Sequence, residues 1–249
     1  MTTTPFTFAV IADSHFHPPE DYSQSAYASD RKHNARNLAV VQALNVVEPD
    51  FVIHLGDVPH PVPGKDGHAV ALSVARSTYD QLNCPFYVVP GNHDVGDKPD
   101  GDVGAPSADL EKRAVFEAHW GPVFHAFDHH DVHFVWIDAP VLNSGSDLEQ
   151  SQREWLEADL AAATEKGQRI FFAMHYPPFL CEPDEAEHYD NVAEPGRSWL
   201  LSLLEEHAVE ALFCGHVHHF FWNRLGATDH YLLPAMSFVR PEYTELVPV

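Results

Sequence analysis

The chain has 249 residues, 45% of them hydrophobic and 12% aromatic, which implies a globular body with a sizeable core and excludes a disordered chain. Thirty-seven acids against 14 bases leave a formal charge of -23, which repels polyanions and argues against a long nucleic acid or an anionic membrane as partner. Cys84, Cys181 and Cys214 are far apart and odd in number, so they form neither a disulfide framework nor a paired-cysteine metal knuckle.

In chain order, the aromatic and β-branched run Phe6 to Ala12 predicts a strand that ends in Asp13-Ser14-His15. In 31 to 48, Leu38, Val41, Leu44 and Val47 recur every three or four residues and predict a helix with these four on its apolar face. Phe51 to Leu55 predicts a strand ending in Gly56-Asp57. Residues 68 to 83 read as a helix, and Phe86 to Pro90 as a strand ending in Gly91-Asn92-His93-Asp94. Residues 108 to 119 read as a helix. The stretch 124 to 138 reads as a hairpin around the polar cluster DHHD, with His133 to Asp138 as a strand run. In 147 to 166, Ser146 and Glu149 have capping-box spacing, and Trp155, Leu156 and Leu160 make an apolar stripe. Ile170 to Met174 predicts a strand that runs into His175. The acidic stretch 182 to 190 reads as a solvated loop, and 196 to 207 as a helix. Glu210 to Cys214 predicts a strand that runs into Gly215-His216-Val217-His218, and 219 to 234 a hairpin whose strands are separated by Gly226-Ala227-Thr228-Asp229. Such alternation implies an α/β protein with much parallel pairing. No run approaches the ~18 apolar residues of a membrane span. The opening MTTTPFTFAVIADSH lacks a basic leader region, so the expectation is a cytoplasmic protein forming one domain over residues 1–249.

Five strands thus end in Asp, Asn or His. Ligands of open α/β sheets bind at the carboxyl ends of strands, so these ends should converge. Glycines at 56, 91 and 215 fit sharp turns and close backbone approach. The donors are oxygens and imidazoles without a thiolate, a set suited to manganese, iron or zinc. They are too many for one ion and about right for two that share a carboxylate. Two divalent ions outweigh the charges of Asp13, Asp57 and one hydroxide, which leaves a pocket suited to a phosphate anion.

The series D-x-H, G-D, G-N-H-D, H and G-H-x-H, in this order from Asp13 to His218, resembles the calcineurin-like metallophosphoesterase superfamily. Its spacing is similar to that of class III cyclic-nucleotide phosphodiesterases. The resemblance implies a four-layer α/β/β/α sandwich with two mixed sheets flanked by helices. It also implies that Asp13, His15 and His218 hold a first metal, that Asp57 bridges, and that Asn92, His175 and His216 hold a second. His93 would contact the substrate phosphate, with Asp94 orienting His93 or a ligand. Two-metal logic then implies attack of an activated hydroxide on phosphorus, with His93 as the acid towards the leaving oxygen. Purple acid phosphatases carry Tyr three residues after the bridging Asp. Here that residue is His60, so a coloured iron site is not implied.

The function these residues imply is hydrolysis of a small phosphodiester, a cyclic nucleotide among the candidates. The alternatives are a phosphomonoesterase or nucleotide pyrophosphatase, a nuclease, or a non-catalytic scaffold. The partner is a small phosphate ester, with a homo-oligomer open, and the loops 16 to 35, 59 to 68, 95 to 110 and 180 to 196 would select it. His17 and His60 follow the metal-binding turns and are the unassigned histidines that would face substrate. The apolar tail ELVPV would pack on the body or on another subunit.

Overall fold

The structure is a computed structural model that describes residues 5–19, 30–99, 106–240 and 243. The tail ELVPV and parts of the loops at 16 to 35 and 95 to 110 lie outside these residues. Three parallel strands, β1 (Phe8–Ile11), β2 (Phe51–His54) and β3 (Phe86–Val88), form one sheet in the order β1-β2-β3. Six strands form the other: β4 (His125–His129), β5 (Val132–Trp136), β6 (Arg169–Met174), β7 (Ala211–Cys214), β8 (Phe221–Leu225) and β9 (Thr228–Leu232). Their order is β4-β5-β6-β7-β9-β8, with parallel pairs at the centre and antiparallel hairpins at both edges.

The helices are α1 (His33–Val47), α2 (His68–Tyr79), α3 (Asn92–Val95), α4 (Leu110–Trp120), α5 (Asp147–Glu165) and α6 (Gly196–Glu206). An apolar layer of Phe51, Ile53, Leu55, Phe134, Trp136 and Ala173 lies between the sheets. There Phe8 stacks on Phe51 with centroids 5.5 Å apart, and Phe134 meets Phe51 edge-on at 5.0 Å. A second cluster joins the smaller sheet to α1, α2 and α4 through Val41, Ala75, Tyr79, Val88 and Phe116. A third joins the larger sheet to α5 and α6 through Leu156, Leu160, Phe172, Leu200 and Leu212. The layers are therefore helix, sheet, sheet, helix. Among the described residues the larger sheet is mixed and the smaller is parallel.

Sequence and structure differ in two instructive places. The buried face of α1 is His33, Asn37 and Val41, while Leu38 and Val47 are exposed. Polar side chains take that face because they bond backbone carbonyls of the loop after β1. Secondly, the turn of the second hairpin is Gly226-Ala227 alone. Thr228 and Asp229 join β9, where Asp229 pairs in parallel with Ala211 of β7. The α5 cap is as the spacing predicts on one side: Ser146 Oγ accepts from Glu149 N at 3.3 Å. The Glu149 carboxylate reaches further back, accepting from the amides of Asn143 and Gly145 at 2.9 and 2.8 Å. No described helix is long and apolar enough to cross a membrane.

Candidate metal centre

β1, β2, β3, β6 and β7 point their carboxyl ends the same way, so the five motif turns meet at one edge. They are tied by backbone bonds, Asp13 N to Gly56 O at 3.1 Å, His15 N to Asp57 O at 3.0 Å and Gly215 N to His175 O at 3.1 Å. Asp13, His15, Asp57, His216 and His218 all have left-handed backbone, with φ of 53°, 44°, 58°, 72° and 59°. For residues other than glycine this costs about 1–3 kcal/mol each, a strain that persists only where the surroundings over-determine it. Left-handed backbone turns each Asp-x-His or His-x-His pair out of the extended alternation, so both members face the same locus. Gly91 is required by contact: a Cβ there would sit 2.5 Å from Asp57 N.

Buried polar groups hold these turns. On α1, His33 Nδ1 donates to His15 O and Asn37 Nδ2 to Ser14 O, both at 2.9 Å. The Asp94 carboxylate accepts from the amides of Asp57, Gly91 and Val58 at 2.7, 2.8 and 3.1 Å. Asp94 thus acts on the turn that carries Asp57, not on the His93 ring. Its own pKa is pushed up to about 7 by burial and by the nearby Asp57 charge.

The side chains converge in groups. Asp13, His15 and His218 form one, and Asp57, His175 and His216 another. His15, Asp57 and His93 form a third, and within each the ligand atoms lie within 4.8 Å of one another. His15 Nε2 is 3.1 Å from His218 Nε2, and His218 Nε2 is 3.4 Å from Asp13 Oδ1. His175 Nε2 lies 3.3 Å from Asp57 Oδ1, 3.1 Å from Asn92 Oδ1 and 3.2 Å from His216 Nδ1. Asp57 Oδ2 is 3.6 Å from His15 Nε2, so one carboxylate faces both groups.

The ring tautomers show what this cluster accommodates. His175 Nδ1 donates to Leu55 O at 2.7 Å, His218 Nδ1 to Phe238 O at 2.9 Å, and His93 Nδ1 to His60 O. A carbonyl accepts only, so each Nδ1 carries a proton and Nε2 is the ring atom turned inward to the cluster. Imidazole nitrogens that face one another and buried carboxylates at 3–4 Å are, once deprotonated, the donor set of a cation site. Without a cation the electrostatics are uneven. Burial holds His15 well below its ordinary pKa and His216 down at about 4. For His175, burial is outweighed by Asp57, which raises it to about 9. Against its own burial penalty, Asp57 is held well below the usual carboxylate range by His175 and His93.

The cluster forms the floor of a cleft of about 270 Å³ lined by His15, Asp57, His60, Asn92, His93, Tyr189, His216, His218, Phe238 and Arg240. His60 is thereby a lining residue, whereas His17 stands behind it, buried, with ring centroids 4.2 Å apart. Sequence reasoning missed Tyr189, Asp190, Phe238 and Arg240. The acidic loop is solvated only in part: Glu182, Asp184 and Glu187 are exposed, but Asp190 is buried with its carboxylate on Arg240 and Tyr243. The signal was the aromatic-acid pair Tyr189-Asp190 at the end of an otherwise charged run.

Known proteins resemble this chain along most of its length. A mouse protein named serine/threonine-protein phosphatase CPPED1 is 30% identical over 187 residues, covering 72% of this chain and 57% of that one. The chain thus spans a little over half the length of that relative. A probable glycerophosphodiester phosphodiesterase GpdQ from Arcobacter nitrofigilis is 28% identical over 231 residues, 86% of this chain and 74% of that one. The fold matches the crystal structure of a dimetal phosphatase from Danio rerio with a TM-score of 0.68 at 17% identity, covering 95% of this chain and 90% of that one. Residues 6–220 match the family model described as Calcineurin-like phosphoesterase, and the chain belongs to that family.

Proposed function

We propose that the protein hydrolyses small phosphodiesters with two metal ions at the strand-end cluster. The observation that carries this reading is the single carboxylate of Asp57 facing two ligand groups at the floor of a small cleft. In this reading Asp13, His15 and His218 hold one ion, Asn92, His175 and His216 the other, and Asp57 both. A bound pair of divalent ions supplies Lewis acidity towards phosphoryl oxygens and an acidified water as nucleophile. Manganese, iron and zinc all suit these donors.

The chain's own residues do the rest. His93 is fixed by its Nδ1 bond to His60 O, which points Nε2 into the cleft beside Asp57, 3.9 Å from Oδ2. From there a protonated His93 gives its Nε2 proton to the leaving oxygen. Asp94 positions the Asp57 turn through three amides. The walls formed by Phe238 and Tyr189 admit a small organic group, and Arg240, paired with Asp190, lies at the same wall. The relative named as a glycerophosphodiester phosphodiesterase supports a diester substrate. The relative named as a phosphatase favours the second reading, a phosphomonoesterase with the same centre.

Initial rates on bis-p-nitrophenyl phosphate and p-nitrophenyl phosphate, after chelation and add-back of manganese, iron or zinc, separate the two. Faster metal-restored cleavage of the diester is the expected result. Faster cleavage of the monoester would overturn the diester assignment. No turnover of either by protein loaded with two ions would favour the scaffold reading.

A further inference from the structure

The acidic loop touches only one half of the ligand cluster. Asp190 Oδ1 lies 3.3 Å from His216 Nε2, and both residues are buried. The buried carboxylate at ion-pair distance favours the ring proton on Nε2, although the contact lacks hydrogen-bond geometry. Nδ1, 3.2 Å from His175 Nε2, keeps its lone pair for the cluster. The preceding residue acts on another member of the same half. Tyr189 Oη accepts from Asn92 Nδ2 at 3.2 Å, which sets the amide so that Asn92 Oδ1 faces His175 Nε2 at 3.1 Å.

This pair of contacts is built rather than incidental. Lys98 Nζ donates to His188 O at 3.1 Å and to Asn191 O at 2.6 Å, bracketing Tyr189 and Asp190. Arg240 and Tyr243 both bind the Asp190 carboxylate. In the other half, His218 is oriented by Phe238 O, and the Asp13 carboxylate accepts from His216 N at 3.1 and 3.2 Å.

We propose that Tyr189 and Asp190 are positioning residues that set the metal affinity of the Asn92–His175–His216 half and leave the Asp13–His15–His218 half unchanged. The proposal rests on the two-metal reading above. Groups that orient ligand imidazoles commonly change metal affinity 10–100-fold when removed. The two subsites would then have separately adjustable affinities, and the substrate-facing loop would control one of them.

The test is calorimetric titration of the chelated full chain with Mn2+. Asp190→Asn should weaken one of two binding events about 10–100-fold and leave the other within about twofold. Tyr189→Phe should weaken the same event less, and it carries the test if Asp190→Asn does not fold. In a His216→Ala background, Asp190→Asn should add no further loss, because its effect passes through that ring. Unchanged affinities, equal losses at both events, or additive losses in the His216→Ala background would overturn the proposal. Wild-type protein that fails to bind two ions would instead overturn the two-metal reading itself.

Discussion

At the scale of single residues, Asp57 and His93 are neighbours with separable duties. Asp57 faces both ligand groups, while His93 is hung from a backbone carbonyl and contributes a ring to the cleft. Asp57→Asn should therefore abolish turnover and lower bound metal, measured by elemental analysis after dialysis. His93→Ala should keep its metal and lose about 10²–10⁴-fold in turnover, the usual size of a general-acid contribution. If the two variants lost metal to the same extent, His93 would be a ligand and its proton-transfer role would be wrong. The residues that converge at the cluster were legible in the sequence, because each follows an apolar run directly and carries donors within two or three positions. Tyr189 and Asp190 were not. They reach Asn92 and His216 across 97 and 26 positions, from a loop whose other side chains point to solvent.

At the scale of elements, the strand and helix runs of the sequence correspond to what forms, with ends shifted by a few residues. The exception in kind is α1. Its period of three to four marked a helix correctly, and Val41 is buried as expected, but Leu38 and Val47 are exposed and the face continues through His33 and Asn37, which serve the loop after β1 rather than fill a core. Periodicity reports apolar burial and is blind to polar groups buried for a hydrogen bond. A similar polar tie joins the larger sheet to α5. On β5, His133 bonds Asp128 through Nδ1 and Asp159 of α5 through Nε2, both at 2.7 Å. Burial alone would lower its pKa, but the bonds to Asp159 and Asp128 outweigh that and raise it. A raised folded value means the charged ring stabilises the fold below the unfolded value of about 6.5. That contribution is lost as pH rises through the folded value. His133→Gln should thus lower the melting temperature by about 2–4 °C near pH 6 and by less at pH 9. A deficit that grew with pH would contradict the assignment.

At the scale of the whole molecule, a chain of formal charge -23 gathers three buried carboxylates, Asp13, Asp57 and Asp94, at the strand-end turns. Burying charge without a partner costs several kcal/mol per group, and His175 balances only one of these carboxylates. Five left-handed residues add strain at the same edge. The fold tolerates both because two packed sheets and their backbone ties hold the five turns together, and cations at the cluster would balance the charge. The central claim is that these turns assemble one centre for two ions. The most direct test follows hydrolysis of bis-p-nitrophenyl phosphate by chelated protein as Mn2+ is added in sub-stoichiometric steps. Activity that rises until two equivalents are bound per chain is the predicted result. Full activity at one equivalent, or activity independent of metal, would contradict it.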